Sequence, residues 1–586
     1  MSTDRFYMPA RVFSGPDVVR EHAKDLAAYG RKALIVTGRS SAKKCGVYDD
    51  ICSALDEYGI DHVLFDEVEE NPSVSTVMRA RDFGVQNNAD YVIGAGGGSP
   101  MDAAKAVALM IRNRDRGRDY LYKSGGDGSH VPVVCIPTTC GTGSEVTGIS
   151  VLTDDEKNIK KSIPYRIFAD LALIDGKYLR TAGRATLCNT AFDALAHLYE
   201  SRLNSDMTRL SCLIAEDGLR EWSKSVPVLK GEKQPDETDY ENLMRASMLG
   251  GMAIAHTGTS LPHGLSYALT CGLGVPHGRA VSCFMAGYLR EADPAETSRV
   301  LKLSGFSSVD DFEETFRMCC GAVDEDEDRL RPYLRQSFTD VLSSASKRAK
   351  APFETDAAVL WRIVNSGFGI RKYRAVLFDL DGTINDSGPG IMNSVRYSLE
   401  KLGRDVPSDD VLRKFVGPSL LYSYMNYCGM TEDEAWKAVE AYRECYHRGE
   451  CFNLSIYDGI RELLGDLNRA GISCAVVTSK PQEAACKILE HFDMTKYFEA
   501  ITGPDPDDPS NRKSVLIGRA LSRLGLGAED VIMVGDSRFD IIGAKEAGCD
   551  SIGAVYGYGT REELEENGAD YLVDSAAEMR PVLGIG

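Results

Sequence analysis

The sequence predicts an α/β chain in which two folds built on parallel sheets follow one another, the first completed by a helical lobe and the second by a helical insert. Three observations lead there. From KALIVTG to ADYVIGAGGGSPMDAAKAVALM, strand-like and helix-like segments alternate, the pattern of a parallel sheet with crossover helices. After Leu179 the apolar residues recur mostly at helical spacing. At VLFDLDGTINDS, residues 376–387, a new series of strands begins. A chain of 586 residues also exceeds what one core can organise. The expected divisions are an α/β lobe over residues 1–180, a helical lobe over 181–370, and a third domain over 371–586 whose helical insert covers about 388–457.

The first elements read in order as the strand KALIVTG, a helix through Tyr48 to Tyr58, the strand HVLFDEV, another helix, and the strand of ADYVIGAGGGSP. There Gly94, Gly96, Gly97 and Gly98 lead into a helix whose expected cap is Ser99, with Pro100 in its first turn. Glycines let the backbone approach a pyrophosphate, and the bare N–H groups of a helix start bind its charge. Such a turn alone is often only a tight connection. The wording GGGSPMDAAK, followed by PTTCGTGSEVT from Pro137 to Thr147, resembles the iron-containing alcohol dehydrogenases, which are related in fold to dehydroquinate synthase and glycerol dehydrogenase. The resemblance runs from about Phe6 to the junction at SGFGIRKYR and implies a dehydroquinate synthase-like fold of two lobes. It also implies a nicotinamide dinucleotide bound by Gly96, Gly97, Gly98, Ser99 and Asp102, and by Thr138, Thr139, Thr142 and Ser144 of the second loop. Where NAD-preferring relatives end a strand on Asp, this chain has Gly38, Arg39 and Ser40. Without that carboxylate a 2′-phosphate has room, and Arg39 can pair with it, so NADP(H) is favoured over NAD(H). An Arg39 turned to solvent would leave both cofactors usable.

In NTAFDALAHLYE, Asp193 and His197 stand four residues apart on one helix face, and His263 in LPHGLSY and His277 in VPHG follow. A lone pair at that spacing is more often a surface hydrogen bond. The family resemblance implies that these four hold a divalent metal between the lobes, and imidazole with carboxylate suits Fe²⁺ or Zn²⁺. Lys160 or Lys161 would neutralise nearby charge. Where many relatives carry a further His, this chain has Tyr267, so the proton relay falls to Tyr267 or to His256. His256, Ser260, His263 and Tyr267 share a face if their helix is continuous. The bland reading of Tyr267 is a ring packed beside the metal.

The run Ala375 to Phe378 reads as a buried strand, with Asp379 and Asp381 at its C-terminal edge, where open α/β sheets place ligands. A lone DxDGT can be only a turn. Here Thr478 and Ser479 follow the strand CAVV, Lys513 opens an amphipathic helix, and Asp536 and Asp540 close VIMVGDSRFD. This ordered set resembles the haloacid dehalogenase superfamily, in particular its phosphoglycolate phosphatase-like members, from Tyr373 to the C-terminus. It implies a Rossmann-like fold with a helical cap, Asp379 as nucleophile forming an aspartyl phosphate, and Asp381 as the acid and later the base. Asp379, Asp536 and the backbone carbonyl of Asp381 make a hard oxygen site for Mg²⁺, Lys513 and the Thr478 hydroxyl can hold phosphate oxygens, and Asp540 supports the site from behind. The insert would close over the intermediate, with Phe415, Val416, Gly417 and Pro418 forming either a substrate-facing loop or a plain turn.

A formal net charge of −20 argues against nucleic acid or an anionic membrane as partner. The 16 cysteines lack the spacing of a disulfide framework or a CxxC zinc site, and neither a leader-like apolar region nor an 18-residue apolar run is visible. The expectation is a cytoplasmic bifunctional enzyme, an NAD(P)H-linked carbonyl reductase fused to a Mg²⁺-dependent phosphatase. It would act in consecutive steps on a small phosphorylated carbonyl compound or polyol. A phosphomutase in place of the phosphatase, or a noncatalytic regulatory half, are the alternatives. Self-association into a homo-oligomer is left open by the sequence.

Overall fold

Short apolar runs separated by amphipathic helices build the first sheet. In the computed structural model, which describes residues 6–157, 159–504 and 512–585, these runs are β1 (Arg11–Ser14), β2 (Lys32–Val36), β3 (Asp61–Phe65), β4 (Tyr91–Gly96) and β5 (Val133–Pro137). A small antiparallel hairpin, β6 (Val151–Asp154) and β7 (Ile159–Ser162), precedes β8 (Leu171–Ile174). The sheet is parallel, in the order β1-β8-β5-β4-β2-β3. Alternation sends Leu34, Val36 and Val92 to one helical layer and Ala33, Ile35 and Ile93 to the other, and all six are fully buried. Because Gly96 of β4 lies in register with Pro137 of β5, the loops leaving both strands start side by side.

The helical lobe packs around Phe192, Trp222 and Leu265. Its helix Arg184–Arg202 is buried along nearly its whole length, including Asp193, His197 and Glu200. Charged groups that deep are costly unless they are paired or hold a cation.

Two expectations are corrected here. The glycine-loop helix begins at Gly98 with Gly97 as its cap, and Ser99 lies inside the first turn, where its hydroxyl accepts from the Asn71 N–H at 3.2 Å. The helix proposed to carry both His256 and Tyr267 is interrupted: one helix ends at Thr257, Gly258 follows at φ +75°, and the next runs Leu261–Leu273. A residue in that backbone region cannot continue the helical hydrogen bonds.

The second sheet consists of β9 (Ala375–Phe378), β12 (Ser473–Val477), β13 (Ala500–Thr502), β14 (Val531–Gly535), β15 (Asp550–Ala554) and β16 (Tyr571–Val573), parallel in the order β13-β12-β9-β14-β15-β16. Between β9 and β12 the chain leaves through β10 (Asn385–Asp386) and returns through β11 (Ser455–Ile456), which pair antiparallel. The helices Gly388–Lys401, Asp409–Arg413, Leu420–Cys428 and Glu432–His447 lie between them and share a separate core of Phe415, Tyr424, Ala438 and Tyr442. Phe415 and Val416 are buried there, while Phe415, Gly417 and Pro418 line the cavity beneath. The chain divides into two compact units, Met1–Ile370 and Arg371–Gly586. Among the described residues no helix is long and apolar enough to cross a membrane.

Candidate active sites

The glycine loop is shaped by what it must leave room for. A Cβ on Gly98 would lie 2.7 Å from Thr142 Cγ2, and one on Gly97 3.3 Å from Thr139 Oγ1, so side chains there would fill the gap between the two loops. Gly97 supplies no side-chain cap, which leaves the first N–H groups of the helix for an anion. The cradle therefore fits a dinucleotide pyrophosphate. Thr138 is tied to the sheet by its N–H to the Gly96 carbonyl, 2.8 Å. Asp102 and Ser144 brace the cradle: the Ser144 hydroxyl donates to Asp102 Oδ1 at 2.6 Å, the Val151 N–H to Oδ2 at 2.9 Å, and Lys105 Nζ to Ser144 Oγ at 2.7 Å. Both carboxylate oxygens of Asp102 thus help to brace the cradle. At the end of β2, Arg39 and Ser40 are exposed, and Arg39 makes no ion pair among the described residues.

In the helical lobe the ligand atoms of Asp193, His263 and His277 lie within 4.8 Å of one another. Asp193 Oδ1 and His263 Nε2, 3.5 Å apart, are buried without a hydrogen-bond partner, as befits atoms placed for a cation, and His277 turns its Nε2 to the same Asp193 oxygen at 4.0 Å. His197 stacks on His263 with ring centroids 4.4 Å apart and donates from Nδ1 to the Gly141 carbonyl at 3.2 Å, and it stands beside the three-residue cluster, not within it. Burial would raise the Asp193 carboxyl, but the three imidazoles hold it well below the usual carboxylate range. Burial disfavours charge on His263, yet Glu200 and Asp193 on either side raise it to about 10. Tyr267 lies beside this group, its ring parallel to that of His277 at 6.3 Å with Lys347 Nζ 5.0 Å from its centroid. Burial, with Glu200 and Asp193, pushes its phenol up to about 12. His256 is taken up elsewhere: Phe6 stacks on its ring, its Nδ1 lies 2.7 Å from the Met252 carbonyl, and its Nε2 accepts from the Tyr7 N–H at 3.1 Å. With both nitrogens engaged it is not the relay, a second correction at this site.

At the C-terminal edge of the second sheet, Lys513 Nζ reaches Asp379 Oδ1 at 2.9 Å and Asp540 Oδ1 at 2.6 Å and donates to the Val477 carbonyl at 3.1 Å. Carboxylate oxygens of Asp379, Asp536 and Asp540 lie within 4.8 Å of one another, a hard oxygen cluster that fits Mg²⁺. Asp540 Oδ2 also accepts from the Ser537 hydroxyl at 2.6 Å, so this residue supports more than it offers. Gly382, at φ +86°, lets the chain pass Asp536: a Cβ there would sit 2.2 Å from its Oδ2. Burial, opposed by Lys513 and assisted by Asp540, raises Asp379 to about 7. Asp381 faces Lys480, 3.1 Å away, and the Lys480 ammonium also donates to the Tyr446 hydroxyl of the cap at 2.5 Å. Thr478 is buried, and its hydroxyl accepts from the Lys480 N–H at 3.1 Å. Asp379, Asp381, Thr478 and Lys513 all face one cavity beneath the cap.

Family comparisons agree with this division of chemistry. Residues 9–176 match the model described as iron-containing alcohol dehydrogenase, residues 187–317 that of the Fe-containing alcohol dehydrogenase family, C-terminal, and residues 376–554 that of the haloacid dehalogenase-like hydrolases. The first unit superposes on an iron-containing alcohol dehydrogenase of Thermotoga maritima with a TM-score of 0.57 at 33% identity, covering 62% of this chain and 99% of that one. The chain joins an iron-containing alcohol dehydrogenase to a haloacid dehalogenase-like hydrolase. The hydrolase is 39% identical to a 5′-nucleotidase of Pseudomonas aeruginosa, over 36% of this chain and 96% of that protein. The dehydrogenase is 29% identical to an NADPH-dependent butanol dehydrogenase of Clostridium saccharobutylicum, over 51% of this chain and 77% of that one.

Sequence reasoning missed three residues of these enzymes. Glu200 of the dehydrogenase accepts from His263 Nδ1 at 2.8 Å and from the N–H groups of Ser260 and His263 at 2.9 Å, which aims Nε2 at the metal position. Its signal was available, since it stands one further helical step along the face of Asp193 and His197. Lys480, adjacent to Ser479, could also have been found from its place in the strand-end motif. Lys105, fully buried beneath the second loop, had no such signal because its partners come from Ser144 and Ile149.

Proposed function

We propose that the dehydrogenase reduces a carbonyl compound with NADPH at Asp193, His197, His263 and His277, and that the hydrolase cleaves a phosphomonoester through an aspartyl phosphate on Asp379. The observation that carries this is the pair of buried carboxylate-centred clusters, one beside Gly141 of the second glycine-rich loop and the other facing the cavity beneath the cap. In the dehydrogenase, a Fe²⁺ or Zn²⁺ ion would supply Lewis acidity toward the carbonyl oxygen. The chain's own part is to orient the ligands through Glu200, to hold the dinucleotide in the Gly97 cradle, and to donate the alkoxide proton from Tyr267. Arg39, exposed and without an ion pair among the described residues, supports NADPH over NADH. The name of the Clostridium relative points the same way.

In the hydrolase, Mg²⁺ would neutralise charge on the transferring phosphoryl group. Asp379 attacks phosphorus as the ester bond breaks, and Asp381 gives its proton to the departing oxygen. Asp381 then takes a proton from water, whose oxygen attacks the same phosphorus and frees phosphate and the Asp379 carboxylate. Thr478 and Lys513 hold phosphoryl oxygens throughout.

Covalent fusion fixes stoichiometry and raises effective concentration, which favours consecutive steps on one phosphorylated carbonyl compound, in either order. A panel of C2 to C5 phosphorylated aldehydes, ketones and alcohols, assayed for NADPH oxidation and free phosphate together, tests this. A compound consumed by one unit whose product is consumed by the other is expected; no such compound removes the consecutive reading.

A further inference from the structure

Burying an ammonium is unfavourable unless acceptors surround it. Other buried lysines of this chain have them: Lys105 donates to the Ser144 and Ile149 carbonyls, Lys177 pairs with Asp50 and Asp175, Lys480 with Asp381, and Lys513 with Asp379 and Asp540. Lys347 of the helical lobe differs. It lies on the short helix Ala345–Arg348, is half-buried, and makes no ion pair and no side-chain hydrogen bond among the described residues. Burial holds its pKa below the usual lysine value, with the charge of Asp340 opposing. Its basic neighbours are engaged elsewhere: Arg348 donates to the Thr355 carbonyl at 3.3 Å, and Lys350 pairs with Asp206.

The place of this ammonium gives it a use. Lys347 Nζ lies over the Tyr267 ring, 5.0 Å from its centroid, and that ring is parallel to the His277 ring at 6.3 Å. The stem of Lys347 passes Gly264, next to His263 on the helix Leu261–Leu273; a Cβ on Gly264 would stand 3.2 Å from Lys347 Cδ. A ring face attracts a cation but leaves the three N–H donors of the ammonium without an acceptor. Neither Tyr267 nor Lys347 is fully buried, so a ligand can reach both. A half-buried charge short of acceptors, beside the proposed site of reduction, suits an anionic group on the compound reduced there. A two- or three-carbon phosphate ester spans roughly 6 Å from its carbonyl oxygen to its phosphate oxygens, by ordinary bond lengths. That is the scale of the steps from His277 to Tyr267 and on to the ammonium.

We propose that Lys347 binds the phosphate of a phosphorylated carbonyl substrate in the dehydrogenase, so that reduction precedes phosphate removal. Hydride passes from NADPH to the carbonyl carbon, the Tyr267 phenol gives its proton to the oxygen and recovers one from solvent, and NADP⁺ and a phosphorylated alcohol leave. The class of reaction that consumes this alcohol is hydrolysis of its phosphate ester, the reaction of the second unit. The inference rests on the reading of the first unit as a carbonyl reductase and fixes the order which that reading leaves open.

The test follows NADPH oxidation by the full chain without added Mg²⁺, to keep the esters intact. Matched pairs are compared, glycolaldehyde phosphate with glycolaldehyde and dihydroxyacetone phosphate with dihydroxyacetone, alongside butanal and the carboxylate-bearing succinic semialdehyde. The phosphorylated member of each pair is expected to show a kcat/KM about tenfold to a hundredfold higher, the size of one hydrogen bond between charged groups. Lys347→Met and, separately, Lys347→Gln should each lower kcat/KM for the esters about tenfold more than for the unphosphorylated carbonyls, mainly through KM. Met keeps the unbranched stem that passes Gly264, and the wild-type pairs can overturn the inference even if neither variant folds. Equal or better use of the unphosphorylated or carboxylate-bearing carbonyls, or an equal effect of both variants on both members of a pair, overturns the inference while the reductase reading stands. NADPH oxidation with none of the carbonyls overturns both.

Discussion

The proposed nucleophile, Asp379, is set by its surroundings in a way that pH can expose. Its carboxyl is raised by burial to about 7 from an ordinary value of 3.8. A raised acid binds its proton more tightly when folded, so the stability it contributes is complete below about pH 4 and is lost as pH rises through about 7. Mg²⁺ requires the ionised form and replaces the lost proton. The rise in unfolding temperature on adding Mg²⁺ should therefore be larger at pH 8 than at pH 6, as scanning calorimetry can measure; an equal rise at both would show that Asp379 does not meet the cation. In the dehydrogenase, Glu200→Gln keeps the shape of the side chain but removes the charge that orients His263. Metal affinity is expected to fall roughly 10–100-fold, read as metal retained after dialysis against graded chelator.

Elements place these residues by leaving space as much as by making contacts. The helix Gly98–Arg112 starts against Thr142, so Gly98→Ala would push a methyl group into the cradle. NADPH should then bind about tenfold or more weakly in a fluorescence titration, because the N–H groups that meet the pyrophosphate are screened. The elements themselves were legible in the sequence: the glycine turn, the strand-end Asp379 and the helix face of Asp193 and His197 all rest on local spacing. The break between His256 and Tyr267 was also written there, in Gly258, but the shared face of four polar residues outweighed a single glycine. What local spacing could not give was the cross-chain pairing, as when Ser144 and Val151 take both oxygens of Asp102, or when Tyr7 occupies the ring that a relay would need.

At the scale of the molecule, two compact units with separate cores predict separate responses to ligands. Thermal unfolding should show two transitions, with NADPH raising one and Mg²⁺ at pH 8 the other, each by about 5 °C at a hundredfold excess over Kd. Division of the chain was legible because each unit repeats the complete signature of an enzyme. The ammonium of Lys347 over Tyr267 was not, because the two residues lie far apart in the chain and meet only through the packing of the helical lobe. The central claim, that one chain carries two working sites of different chemistry, is tested most directly by inactivating each in turn. Asp193→Asn and Asp379→Asn variants of the full chain are assayed side by side for NADPH-linked carbonyl reduction and for phosphate release. Asp193→Asn is expected to lose reduction and Asp379→Asn to lose phosphate release, each by about a thousandfold or more, while the other activity stays within about twofold, as for independent sites in units with separate cores. Loss of both activities in either variant, or of neither, would contradict it.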